Sequence, residues 1–157
     1  MKRWWSLLFF FALACSQPGN KQRQQNEKIA LLYFEEVWNK GNVDLLDSLL
    51  TSDYINHTPS VPTTAGPNGL KPIVTAIRKA FPDLQFIIKD VIATDDQITV
   101  RTIMTGTQKD SLFGIPPTNK PIEVNQINIE KIREGRIAEH WRVTDELTMM
   151  RQLGLVK

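Results

Sequence analysis

Between residues 27 and 40 apolar side chains recur at Ala30, Tyr33, Phe34, Val37 and Trp38. That spacing predicts an amphipathic helix with one wide apolar face, capped by Asn26 and stopped at Gly41. Glu36 and Lys40 form an i,i+4 pair on the other side. Asn42 can cap a second short helix over 43–50, with Val43, Leu46 and Leu50 inward. Residues 52–58 read as an extended segment ending near His57, and 59–68 as a loop with three prolines. A third helix is predicted over 69–80, with Ile73, Ile77 and Phe81 on one face, and Pro82 ends it.

Beyond Pro82 the pattern changes to period two. Residues 84–94 read as a strand, Asp95-Asp96 as a turn, and 98–107 as a second strand with Ile98, Val100, Thr102 and Met104 alternating inward. A long loop follows over 108–120. Residues 122–132 read as a third strand whose parity slips, with Ile122 and Val124 even but Ile127 and Ile129 odd, so a one-residue bulge is expected near Asn125-Gln126. Glu134-Gly135 is a tight turn into a last strand, and 146–153 a short terminal helix. Helices first, then strands joined by hairpins, predict an α+β domain with its helices on one face of an antiparallel sheet.

The first residues read differently. Lys2 and Arg3 precede an apolar run from Trp4 to Leu13, and Cys15, the only cysteine, follows Ala14. The run is too short for a permanent span and fits a signal peptide over 1–14. Residues 15–26 are polar and read as a flexible tether, whose ten residues from Ser16 would reach roughly 15–20 Å, leaving 27–157 as the folded domain. Lys2 and Arg3 also supply the whole formal charge of +2 in a chain of 157 residues. A neutral domain without a basic block argues against nucleic acid as a partner. One cysteine excludes an intrachain disulfide framework, and two distant histidines point to no metal centre.

Counting by twos along the last strand places Ile137, Glu139, Trp141, Val143 and Asp145 on one face, and Arg136, His140, Arg142 and Thr144 on a wet one. Asp145 is thereby expected in an apolar pocket, where desolvation would raise its pKa and fit it for acid/base work near neutrality. The competing reading is an N-cap for the terminal helix. His57 stands where a strand enters a loop, a place for a ligand-binding or an anchoring histidine. His140, on the wet face, is expected to have no role.

Four ordered segments carry a resemblance. They are Ala80-Phe81-Pro82-Asp83-Leu84; Thr105-Gly106-Thr107 with Phe113-Gly114-Ile115-Pro116-Pro117-Thr118; Glu134 through Trp141; and Asp145 with Gln152-Leu153-Gly154. Together they resemble the SnoaL-like polyketide or ester cyclases of the nuclear-transport-factor-2-like superfamily. The resemblance implies a cone-shaped curved antiparallel sheet with N-terminal helices packed on its concave face. It implies an intramolecular aldol-type ring closure without cofactor on a small hydrophobic carbonyl compound. Asp145 falls on the family's acid/base position and His57 on a pocket position; Trp38, Tyr54, Phe81, Phe86 and Trp141 would surround the substrate, with catalytic His57 or an amide from Asn125, Gln126 or Asn128 at the oxyanion. The stretch ending at Cys15 resembles a lipobox, which implies lipidation there and a membrane-anchored place in a bacterial cell envelope. The alternative is a non-catalytic lipid-anchored protein that binds an apolar small molecule, and the family's open sheet face allows a homodimer.

Overall fold

The computed structural model describes residues 18–157; the expected signal peptide and Cys15 lie outside them. Helix α1 (Pro18–Leu32) begins well before the predicted start. The tether expected to extend through Asn26 is thus helical from Pro18, a residue tolerated in a first turn. The missed cause is tertiary. Asn26 caps nothing; it is buried, and its Nδ2 donates to the carbonyls of Thr94 (2.9 Å) and Asp95 (3.1 Å). Arg23 adds an ion pair to Asp95 at 3.1 Å, so this polar stretch is pinned to the turn after the next strand pair's first member.

The helix continues as a widened π-helical segment, Tyr33–Asn39, which buries Tyr33, Phe34, Val37 and Trp38 as the periodicity predicts, and Asn39 as well. Arg78 Nη1 donates to the carbonyls of Trp38 and Asn39, both at 2.6 Å, and so satisfies groups freed at the helix end. The predicted second helix is split into a 3₁₀ turn, Val43–Leu45, and α2 (Leu46–Leu49). Then come β1 (Leu50–Asn56), α3 (Pro67–Ala80), β2 (Gln85–Ala93), β3 (Gln97–Thr107), β4 (Pro121–Arg133), β5 (Arg136–Thr144) and α4 (Glu146–Leu153).

The five strands form one curved, unclosed sheet in the order β1-β5-β4-β3-β2. β1 runs parallel to β5, and the other pairs are antiparallel. The helices cover the inner face, where Tyr33, Phe34, Trp38, Val74 and Phe81 join Ile98, Val100 and Val124 in one core. The α+β architecture read from the sequence is the one observed.

One register detail decides the site. β4 alternates without interruption: Ile122, Val124, Gln126, Asn128, Glu130 and Ile132 all face inward and are buried. The expected bulge near Asn125-Gln126 does not exist. It lies in β5, where Lys131 pairs with Glu139 but Ile132 pairs with Ile137, leaving Ala138 as the extra residue. Ile137 and Ala138 are both buried in succession, and every later residue of β5 changes face relative to a count by twos.

Candidate functional site

After Ala138, His140, Arg142 and Thr144 turn inward, and Glu139, Trp141 and Val143 turn outward. The inner positions meet β4 in three rungs: Glu130 opposite His140, Asn128 opposite Arg142, Gln126 opposite Thr144. β3 adds Ile98, Val100 and Thr102 on the far side of the same rungs. Three polar rungs thus interrupt an otherwise apolar inner face, roofed by Tyr33 and Trp38 from the first helix and Tyr54 from β1.

At the deepest rung His140 Nδ1 lies 2.8 Å from Glu130 Oε1. Glu130 is wholly buried and His140 only 6% exposed. Burial pushes the Glu130 carboxyl above its ordinary range, while His140 pulls it back. Glu130 Oε2 has no hydrogen-bond partner, and His140 Nε2 makes no hydrogen bond among the described residues. Burial, then the fields of neighbouring phenol and Glu130, hold the Tyr54 hydroxyl far above the ordinary phenol range. Burial does the same to Tyr33. Both phenols are therefore neutral hydrogen-bond donors at any physiological pH. Among the described residues Tyr54 Oη, beside the Tyr33 phenol, and Gln126 Oε1 and Thr144 Oγ1 are buried without a partner in good hydrogen-bond geometry. Buried polar atoms normally find partners, so four such atoms in one layer are available to water or to a ligand.

Asp145 is elsewhere. It is exposed and caps α4, accepting from the Thr148 N–H at 3.1 Å. Hydrogen bonds from Thr148 hold its carboxyl below the ordinary range, the reverse of the expected shift. The burial read for Asp145 and Glu139 fails for one reason: Ala138 was counted as a regular step. His57 is also on the outer side. Its ring stacks on Trp141 (4.4 Å between centroids, 6° between planes) and its Nε2 meets Glu139 Oε2 at 2.8 Å. Trp141 accordingly packs outside the cone, not around a substrate inside it. Trp38, Tyr54 and Phe86 do face the interior, with Trp38 and Phe86 in tilted contact at 5.3 Å. Phe81 is sealed in the core against Gly106. Of the three amides, Gln126 and Asn128 point in and Asn125 out.

Glu130, His140 and Arg142 are the residues that the count missed. One signal was present: Ile122, Val124 and Ile132 share a parity, which forces the polar positions between them inward. Among the described residues no group of three or more His, Cys, Asp or Glu side chains is placed to hold a metal ion.

Comparison with known proteins places this geometry. A profile of the SnoaL-like polyketide cyclases matches residues 28–153. Nogalonic acid methyl ester cyclase of Streptomyces nogalater is 26% identical over 121 residues, covering 75% of this chain and 90% of the relative. The aklanonic acid methyl ester cyclase DnrD of Streptomyces peucetius is 26% identical over 126 residues, covering 76% and 84%. Among solved structures, TsrD of Streptomyces laurentii superposes with a TM-score of 0.78 at 25% identity over 85% of this chain and 98% of its own. IdmH of Streptomyces antibioticus, a candidate polyketide cyclase, is 32% identical with a TM-score of 0.69 over 83% and 99%.

Proposed function

Because the chain belongs to the SnoaL-like polyketide cyclase family, we propose that it performs cofactor-free acid/base chemistry on a carbonyl compound inside the cone, an intramolecular aldol-type ring closure. The observation that carries this is the buried Glu130–His140 pair with one carboxylate oxygen and one ring nitrogen left without protein partners. Glu130 fixes the imidazole tautomer and supports its positive charge, as the buried carboxylate does in a Ser-His-Asp triad. His140 Nε2 takes the proton from the carbon alpha to a carbonyl. The Tyr54 hydroxyl donates to the enolate oxygen as charge develops there, with the inward amide of Gln126 or Asn128 beside it. The enolate carbon then forms a bond to a second carbonyl carbon of the same molecule. The new alkoxide recovers the proton from His140, so nothing is gained or lost overall. Trp38 and Phe86 supply the apolar wall.

The two methyl esters for which the relatives are named serve as trial substrates. Ring closure is an isomerisation, so product separates by chromatography at unchanged mass, and in heavy water the alpha carbon of unreacted substrate acquires deuterium whenever the enolate is reprotonated instead of closing. Exchange above the buffer rate supports the reading. Binding without exchange in either ester would favour a non-catalytic binding protein.

Two further proposals concern the setting. The outer sheet face exposes Ile92 (66%), Ile127 (47%) and Val143 (72%), which supports a homodimer through that face. Light scattering should show a dimer that Val143→Lys with Ile127→Lys converts to monomer; a monomeric wild type sinks this. Membrane attachment through Cys15 is supported by Lys2, Arg3 and the apolar run before it. Cys15→Ser should move the protein from the membrane fraction to the soluble one, and retention in the membrane would refute the anchor.

A further inference from the structure

One half-buried charge takes no part in that proton shuttle. Arg142 sits on the middle rung opposite Asn128, two residues from His140 and on the same face. Burial pulls its guanidinium below the ordinary value, yet an arginine remains a cation at any physiological pH. Among the described residues it has no carboxylate within ion-pair distance. The charged and titratable groups that act on it are, in order, the phenol of Tyr33, the carboxylate of Glu146 and the phenol of Tyr54. Its side chain makes one hydrogen bond, from Nη2 to Ser60 Oγ at 2.9 Å, while a guanidinium carries five N–H donors. Its backbone is fixed separately, Arg142 N donating to Thr58 Oγ1 at 2.7 Å.

Three of the exposed arginines show the opposite arrangement, whereas exposed Arg136 and Arg151 have no ion pair among the described residues. Arg23, Arg101 and Arg133 each have an aspartate partner, although water already solvates them. Partial desolvation already costs a charge, so a half-buried cation without an ion-pair partner, beside other unpartnered polar atoms, is placed to receive an anion. Tyr54 Oη and Thr144 Oγ1, both without a partner in good hydrogen-bond geometry, belong to the same inner layer and can add donors. A planar fork of N–H groups matches the two oxygens of a carboxylate, an acid group that carbonyl compounds commonly carry.

We propose that Arg142 receives a carboxylate of the substrate, so that the molecule cyclised here is a carbonyl compound bearing a free acid group. This rests on the reading that the cone interior is the reaction site, and it sets the chain apart from the relatives named for methyl esters. Arg142 is then a specificity-determining residue that holds the acid end on the middle rung while the reacting carbonyl meets the rung below.

The test is calorimetric binding of 2-naphthoate and of methyl 2-naphthoate to the full chain. The acid should bind roughly 10- to 100-fold tighter than the ester, the value of one charge-assisted pair. Arg142→Met should erase that preference and Arg142→Lys retain part of it. Equal binding of acid and ester to the wild type, or binding of neither, overturns the proposal. So does a preference that survives Arg142→Met. The wild-type comparison stands even if a variant fails to fold. His140→Asn separates the two ideas. If it keeps the acid preference while exchange is lost, receptor and shuttle both stand. If no ketone exchanges in the wild type but the acid preference holds, only the shuttle falls.

Discussion

Replacing His140 by Asn should lower kcat for ring closure by about 10²- to 10⁴-fold, the usual worth of a positioned acid/base group, with little change in KM. Asn is chosen because its amide can reach the place of Nδ1 and still donate to Glu130, so only Nε2 is deleted. Glu130→Gln should cost about 10²-fold or more, because the imidazole loses the anion that orients it and supports its cationic form. It should also change the pH dependence of stability. The Glu130 carboxyl is held above its ordinary range in the folded state, so the folded protein binds that proton more tightly than the unfolded chain. Its contribution is full below the unfolded value of about 4.3 and declines as pH rises through the folded one. The wild-type melting temperature should therefore fall relative to Glu130→Gln over that climb. Asp145→Asn is the counterpart: asparagine caps a helix as well as aspartate does, so turnover should persist. Activity lost in Asp145→Asn and kept in His140→Asn would return the chemistry to the end of β5.

The contrast between these two residues shows what the sequence can and cannot convey. The helix face of Ala30, Tyr33, Phe34, Val37 and Trp38, the alternation of β3 and the Glu134-Gly135 turn were legible because each depends on local periodicity or on a backbone preference near the residues concerned. The site was not, because its composition depends on one unpaired residue. Ala138 carries no signal of its own: alanine is at home in regular strand and bulge alike, and glycine does not mark the spot. Placing the irregularity in β4 instead of β5 exchanged His140 and Arg142 for Trp141 and Asp145 and moved the candidate chemistry to solvent. The polar run at Gln126, Asn128 and Glu130 was similarly hidden, since inward polar residues look like an outward face until the strand's ends are compared. The helix over residues 18–26 was missed for a different reason. Its polar side chains bury nothing apolar, and it is held by Asn26 and Arg23 against a turn about seventy residues away in the chain.

The same kind of distant polar contact yields the largest expected loss of stability, at Asn39. Phe86 lies on β2, the edge strand of the sheet, so its outward-facing main-chain groups have no neighbouring strand. Asn39, buried at the end of the π-helical segment, supplies one in miniature. Its Oδ1 accepts from Phe86 N at 2.7 Å and its Nδ2 donates to Phe86 O at 3.2 Å. One side chain thus closes the gap between the first helix and the sheet and satisfies two buried backbone groups. Asn39→Ala leaves both unpaired at roughly 1–3 kcal/mol each. Against a total of about 5–15 kcal/mol for a domain, that should lower the melting temperature by about 10 °C or more. Asn39→Asp should be at least as damaging at neutral pH. It keeps an acceptor for Phe86 N but turns a carboxylate oxygen toward Phe86 O, and its loss should ease on acidification, when the carboxyl can donate. The neighbouring Trp38 stands against Phe86 in the interior wall, so a loosened Asn39 should also raise KM in the variants that still fold. Melting curves of Asn39→Ala and Asn39→Asp at neutral and acidic pH decide it: a wild-type melting temperature in both would mean that water replaces the side chain and that the helix is held to the sheet by its apolar face alone.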